Sequence, residues 1–229
     1  GLDAAWEVGV KTRLAGGSLE LNGAVFRSEF DDLQVAAWNG VTFVTSNAAQ
    51  ATTEGVEVDA RWQISDSWML SGALAYLDAS YDDFTEAVCT AAQQVQHGID
   101  TGMSPATCTQ DLSGKELQFA PEWSGTINLE YNRLLNGGLE LVAVVGMDYT
   151  DSYFTALDLD PHSRQDSFTK FNARIQLAGS SGWSVALIGK NLSDETTTTW
   201  VNDVPFFRGA FFGSMDAPRT LGVQAKYQF

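Results

Sequence analysis

Residues 53–63 alternate without a break. Val56, Val58, Ala60 and Trp62 fall on one side of an extended chain, and Gly55, Glu57, Asp59, Arg61 and Gln63 on the other. Period two is the mark of a β-strand. The polar side is what constrains the fold, because Glu57, Asp59 and Arg61 are costly to bury in a dry core. Such a strand belongs between a greasy medium and water.

The pattern recurs along the chain. In 4–14, Trp6, Val8, Val10, Thr12 and Leu14 oppose Glu7, Gly9, Lys11 and Arg13. From residue 19, Leu19, Leu21, Gly23 and Val25 oppose Glu20, Asn22 and Ala24. Trp68, Leu70, Gly72, Leu74 and Tyr76 share the next apolar face. In 123–131, Trp123, Ile127, Leu129 and Tyr131 oppose Ser124, Thr126, Asn128 and Glu130. A strand at 139–149 follows, then Phe171, Ala173, Ile175 and Leu177 against Asn172, Arg174 and Gln176. Trp183, Val185 and Leu187 lead another, and Leu221, Val223, Ala225, Tyr227 and Phe229 alternate with Gly222, Gln224, Lys226 and Gln228 at the end.

Connections alternate as well. Short turns fall near 16, 66, 135 and 180; long loops cover 31–51, 79–121, 151–166 and 192–218. Asn39-Gly40 gives a hairpin signal within the first long loop. Helical periodicity is nearly lacking, and no run approaches the ~18–20 apolar residues of a membrane helix. An immunoglobulin-like sandwich has shorter strands and no such asymmetry of loops. The fold class expected is all-β: a transmembrane antiparallel up-and-down barrel, with about nine strands in this chain.

In that arrangement the short turns face the periplasm and the long loops face outside. The last strand then runs inward and ends in the periplasm. Aromatics belong at the two membrane interfaces. Trp62, Trp68, Tyr131, Trp183 and Phe229 are expected near the short turns, and Tyr76, Trp123, Tyr149 and Phe168 near the long loops. Glu57, Asp59, Arg61, Asn128, Glu130, Asn172 and Arg174 are expected to face a hydrated lumen and to contact whatever fills it.

Charge and cysteines narrow the setting. A net charge of −16 argues against a nucleic-acid partner. Cys89 and Cys108, with 18 residues between them in one polar loop, read as a disulfide in an oxidising compartment, with two free thiols as the other reading. Their neighbours do not suggest a metal site. Catalysis finds little support. His162, Ser163 and Asp166 read as a solvated turn rather than a triad, Asp158 and Asp160 as an acidic loop tip, and Asp82-Asp83 as a strand exit. Binding is better served. The long loops carry Trp38, Phe43, Tyr81, Phe84, Tyr153, Phe154, Trp200, Phe206, Phe207, Phe211 and Phe212, with Arg208 among the last group. Aromatics beside a cation suit a ligand that is planar, partly apolar and anionic. Packing of these rings on one another, holding the loops over the barrel, is the competing reading for each.

Several segments resemble TonB-dependent outer-membrane receptors. Glu7-Val8-Gly9-Val10-Lys11 resembles a recurrent E-x-G-x-K strand of that family, and Glu54-Gly55-Val56-Glu57-Val58-Asp59-Ala60 its x-G-x-E-x-E strand. Ala24-Val25-Phe26 with Asp31-Asp32-Leu33-Gln34-Val35 is similar to a strand entering an extracellular hairpin, and 75–81 to one leaving the membrane. Gly189-Lys190-Asn191-Leu192-Ser193-Asp194-Glu195 resembles its G-x-N-L-x-D segment, and 217–223 with terminal Phe229 its ending. The resemblance implies a barrel of roughly 22 strands with an amino-terminal plug. It makes 1–229 a partial barrel, the carboxy-terminal segment of the larger one, with plug and earlier strands outside it. It further implies active import of a scarce ligand such as a ferric siderophore, no enzymatic activity and no cofactor. The partners implied are TonB with its inner-membrane energising complex, outer-membrane lipid and lipopolysaccharide, and the barrel-assembly machinery, which reads Tyr227 and Phe229. A passive porin, or uptake of an oligosaccharide or cobalamin, are the alternatives.

Overall fold

The structure is a computed structural model that describes residues 1–38, 43–104, 107–204, 207 and 209–228; for 36–38 and 43–49 it describes the backbone alone. Nine long strands form one sheet: β1 (Leu2–Leu14), β2 (Leu19–Trp38), β3 (Phe43–Gln63), β4 (Trp68–Asp83), β5 (Trp123–Leu135), β6 (Leu139–Thr150), β7 (Phe168–Gly179), β8 (Trp183–Lys190) and β9 (Thr220–Tyr227). Each pairs antiparallel with its neighbours in sequence, and β1 and β9 are the two edges. The sheet is an open wall, a partial barrel that does not close on itself.

Register carries the two-faced pattern from strand to strand. One apolar row reads Trp62, Leu70, Leu129, Val145, Ala173, Gly189 and Leu221 across seven strands. A row on the opposite face reads Arg13, Glu20, Arg61, Ser71, Asn128, Gly146 and Asn172. A one-residue slip at any pairing would mix the two faces. The apolar face is left bare: Val8 is 65% exposed, Leu187 59% and Val223 73%. That much contiguous apolar surface does not stand in water.

Two aromatic pairs mark the borders of this face. Trp68 and Tyr131 meet at a tilt with centroids 4.7 Å apart at the short-turn end, and Tyr76 and Trp123 at 4.9 Å at the long-loop end. From residue 68 to residue 76 the strand rises about 26 Å, of the order of the apolar band of a membrane barrel. Phe168 does not join the second girdle. Its register partner is Thr150, which puts it on the polar face beside Lys170, whose Nζ lies 5.1 Å from the ring centroid. The alternation of β7 starts one residue later than the expected girdle needs.

Tight turns close the short-turn end. Ala15, Gly16 and Gly17 all have positive φ, as do Gly137, Gly138 and Gly182. Gly182 also lacks room for a side chain, since a Cβ there would sit 2.6 Å from the carbonyl oxygen of Gln228.

The long-loop end differs most from the sequence reading. Residues 31–38 and 43–51 are strand rather than loop: β2 and β3 stay paired out to Trp38 and Phe43. Asp31-Asp32 is a bulge, with Asp32 at φ 50° and a register shift between Phe30 and Leu33. Residues 39–42, with Asn39-Gly40, lie outside the described residues. The second long loop holds an 11-residue helix, α1 (Ala91–Thr101). It buries only Ala91 and Gln94, so no apolar stripe announces it. Its local signal is the capping box, in which Thr90 and Gln93 bond each other's backbone, with left-handed Gly102 closing the other end.

A candidate ligand-binding crown at the long-loop end

The extensions of β2, β3 and β4 and two loops meet in a small core of their own. Tyr81 and Phe84 are 2% and 1% exposed, with ring centroids 4.9 Å apart. Val35, Ala51, Ala87, Leu112 and Leu157 surround them. Tyr81 and Phe84 were ligand candidates by sequence, and this burial corrects that. They are the interior that lets the loops hold a shape. Both follow the membrane part of β4, where alternation and loop composition cannot separate a buried ring from a displayed one.

Further bonds fix this core to the wall. The Tyr81 N–H donates to the Lys115 carbonyl, and the carbonyls of Tyr81 and Ala79 accept from the N–H groups of Gly114 and Leu117 in the returning loop. The Phe84 N–H donates to Ser113 Oγ, and Gln110 Nε2 donates to the carbonyls of Val88 and Asp158. Cys89 and Cys108 are joined in a disulfide with Cα atoms 5.7 Å apart, tying the start of α1 to the strand that returns from it.

The third and fourth loops are bound together. A two-stranded ribbon, Thr198–Asp203 with Phe211–Met215, stands beside the 153–165 segment. The Thr198 N–H donates to Gln165 Oε1 at 2.6 Å, and the Val201 N–H to Thr155 Oγ1 at 3.0 Å. The His162 ring stacks on Phe211 at 4.2 Å. At the root, Lys170 Nζ donates to Thr197 Oγ1 and to Asp216 Oδ2, each at 2.7 Å. That ammonium holds the Asp216 carboxyl below the usual carboxylate range.

The remaining aromatic candidates pair locally. Trp200 meets Phe212 edge-on at 5.0 Å, Tyr153 lies 6.2 Å from Phe119, and the Arg164 guanidinium covers Phe154 at 5.5 Å. Phe207 is 69% exposed, and Phe212 is 46% exposed. Burial, with the charge of Asp216 behind it, raises the Tyr153 phenol. The side chain of Trp38, and Phe206, Arg208 and Phe229, lie outside the described residues. Sequence reading missed Phe119, His162 and Arg164 as ring partners; they lie far in sequence or beside polar neighbours, and only the folded loops bring them together.

Catalytic geometry is not assembled at His162. Its Nδ1 is 2.8 Å from Asp160 Oδ1, and the Ser163 hydroxyl, 2% exposed, donates to the Asp160 carbonyl. The serine is spent on the turn. Asp158 is pushed up to about 7, chiefly by burial and then by the charges of Asp203 and Asp160. Asp203 is raised by burial and by Asp160, and its Oδ1 is buried without a hydrogen bond. Among the described residues no cluster of His, Cys, Asp and Glu has metal-ligand geometry.

On the polar face, Glu57, Asp59, Arg61, Asn128, Glu130, Asn172 and Arg174 stand together by register. Asp59 accepts from Asn22 at 2.8 Å, and Asp148 accepts from Asn172 at 2.8 Å. Arg174 donates to Gln176 and Gln224. All but the Arg174–Gln176 bond, which lies within β7, cross between strands, and the groups keep contact with water.

A bare apolar face bordered by aromatics, a polar face opposite, short turns at one end and packed loops at the other define part of a membrane-spanning β-barrel wall. The family model described as TonB dependent receptor-like, beta-barrel, matches residues 4–192, and the chain belongs to that family. Its members are transport receptors of the Gram-negative outer membrane. The apolar face is therefore the lipid face and the polar face the lumen face. The ferric yersiniabactin uptake receptor FyuA from Yersinia pestis superposes with a TM-score of 0.73 at 15% identity, covering 98% of this chain and 29% of that one. The siderophore receptor PiuA from Acinetobacter baumannii gives 0.69 at 19% identity, covering 96% and 27%. The closed form of the ferric-catecholate import receptor Fiu from K12 E. coli gives 0.63 at 18%, covering 98% and 27%. The chain spans under a third of the length of each of these receptors.

Proposed function

We propose that residues 1–229 form the carboxy-terminal wall of an active importer whose plug and remaining strands lie elsewhere in the protein. The unpaired edges of β1 and β9 support this, because a bilayer does not tolerate open strand edges. The long loops face outside and the short turns face the periplasm. Substrate binds the crown and the plug, TonB with its inner-membrane complex supplies energy, and this wall provides rigidity, a hydrated lumen and specificity loops. Tyr227, opposite Trp183 on the lipid face, and Phe229 belong to the signal read by the assembly machinery, and the lipid face meets outer-membrane lipid and lipopolysaccharide.

The ligand we assign is an iron chelate of the siderophore class. The observation that carries this is a fold shared over nearly the whole chain with receptors named for ferric yersiniabactin, siderophore and ferric-catecholate uptake. A crown that displays Phe207, Phe212 and partly Trp200 suits a planar, partly apolar chelate. The test is expression of the intact gene under iron starvation, with uptake of labelled ferric chelates in a deletion strain and its complement. Induction by iron limitation and restored ferric uptake are expected. A response confined to a sugar source or to cobalamin would overturn the iron assignment.

A further inference from the structure

The lumen face of the last three strands carries one sign of charge. Lys170, Lys190, Arg174 and Lys226 stand on it, four of the 13 Lys and Arg in a chain of net charge −16. No Asp or Glu shares this face of β7, β8 or β9. Lys170, nearest the crown, is paired with Asp216. Among the described residues, Lys190, Arg174 and Lys226 have no carboxylate partner.

Arg174 is built in rather than loose. Its Nη2 donates to Gln176 Oε1 at 2.6 Å on its own strand and to Gln224 Oε1 at 2.9 Å on β9. The second bond spans β8, where Ala186, between Gln176 and Gln224 in the register, is 2% exposed. Both acceptors are neutral amides. They orient the guanidinium without cancelling its charge, and their own NH2 groups remain as donors. Beside this bridge, at the short-turn end, is a recess of about 470 Å³ whose polar lining is Arg174, Gln176, Ser184, Gln224, Lys226 and Gln228, again without a carboxylate among the described residues. Glu140 on β6, opposite Ala178, accepts instead from Asn132 on its other side.

The geometry points to an anion-binding site at the periplasmic end of the lumen wall, with Arg174 and Lys226 as its charges, for a small molecule bearing carboxylates. A carboxylate there gains charge-assisted bonds from a fork already held in place. The site rests on the barrel reading for its position in a lumen, and it places an anionic ligand at the exit, far from the crown that first binds it.

The test uses the full-length receptor in detergent at low salt, titrated calorimetrically with citrate as probe and glycerol as neutral control. Citrate should bind the wild type, and R174Q/K226Q should bind it at least tenfold more weakly. R174K should fall between, since it keeps the charge and loses the fork. Heat-modifiable gel mobility equal to wild type shows that each variant is folded, and K226Q alone tests the site should R174Q/K226Q fail to fold. Citrate binding unchanged in the variants, or no binding to the wild type, overturns the site. So does a plug that becomes protease-sensitive in R174Q/K226Q without loss of citrate binding, for then the recess holds an acidic segment of the protein. A receptor that proves indifferent to iron would sink the siderophore assignment and leave this result standing.

Discussion

The backbone N–H of Asn191 donates to the side-chain oxygen of Asn172 at 3.0 Å. Asn172 is a lumen residue of β7, and its amide nitrogen donates in turn to Asp148 on β6. Asn191 leaves β8 at φ 49° and is 5% exposed, with its side chain bonded to Glu195 on both amide atoms and to the Ala217 carbonyl. Three residues on, Asp194 holds Arg219 by its N–H and its guanidinium. The G-x-N-L-x-D segment is thus the clasp that starts and finishes the loop carrying the 198–215 ribbon.

Asn191→Ala should therefore loosen the ribbon. It strands the Glu195 N–H, at about 1–3 kcal/mol, and adds left-handed strain of about 1–2 kcal/mol. Asn191→Gly removes the bonds but not the fit and should cost less. Hydrogen exchange over 195–217 in the full-length protein checks this. Equal protection in wild type and both variants would show that the clasp holds nothing.

Adjacent residues of β6 should respond oppositely to charge. Val145 is on the lipid face, 54% exposed, and Val144 is on the lumen face opposite Glu130 and Arg174. Val145→Arg should destabilise folding into phospholipid vesicles by about 2–4 kcal/mol near the midplane. Val144→Arg should be close to neutral. The reverse order would mean that the faces are exchanged.

Phe84→Ala and Phe207→Ala should separate scaffold from display. Emptying the 1%-exposed Phe84 site should cost the crown about 3–5 kcal/mol. Removing the exposed Phe207 ring should leave crown stability as it was and weaken ligand capture. Limited proteolysis of the loops and ligand binding to whole cells read the two effects. A crown that resists protease after Phe84→Ala would restore that ring as a ligand candidate.

The crown should loosen as pH rises. Asp158 has its pKa raised from 3.8 to about 7, first by burial and then by Asp203 and Asp160. The folded state therefore binds a proton that the unfolded state gives up. The stability gained from it is fully present below about pH 4 and is lost as pH rises through 7. Asp158→Asn should flatten this dependence. Exchange rates at 153–165 measured from pH 5 to 8 test the sign, and protection that grows with pH would refute it.

How much of this was readable before folding depends on the medium each residue meets. Strands β1 to β9 were legible because lipid and lumen sort every second side chain, so Val56, Val58 and Trp62 announce one face and Glu57, Asp59 and Arg61 the other. Connection length announced the two ends, and Cys89 and Cys108 fell within one loop. The crown has no such sorting. Tyr81 and Phe84 belong to the same composition as Phe207, yet two are interior and one is displayed. A loop is expected from residue 31, and the chain there bulges at Asp31-Asp32 and stays paired, because a β-ladder accommodates one extra residue without ending. The helix at 91–101 hides because it buries little, and only its cap speaks for it. Sequence alone determined where the chain meets lipid and where it meets water, since that is a local, repeating choice at each residue. The tertiary structure decided which loop rings are core, which cations are left unpaired on the lumen wall, and how Asn172 reaches Asn191, since each depends on strands and loops that meet only in the folded sheet.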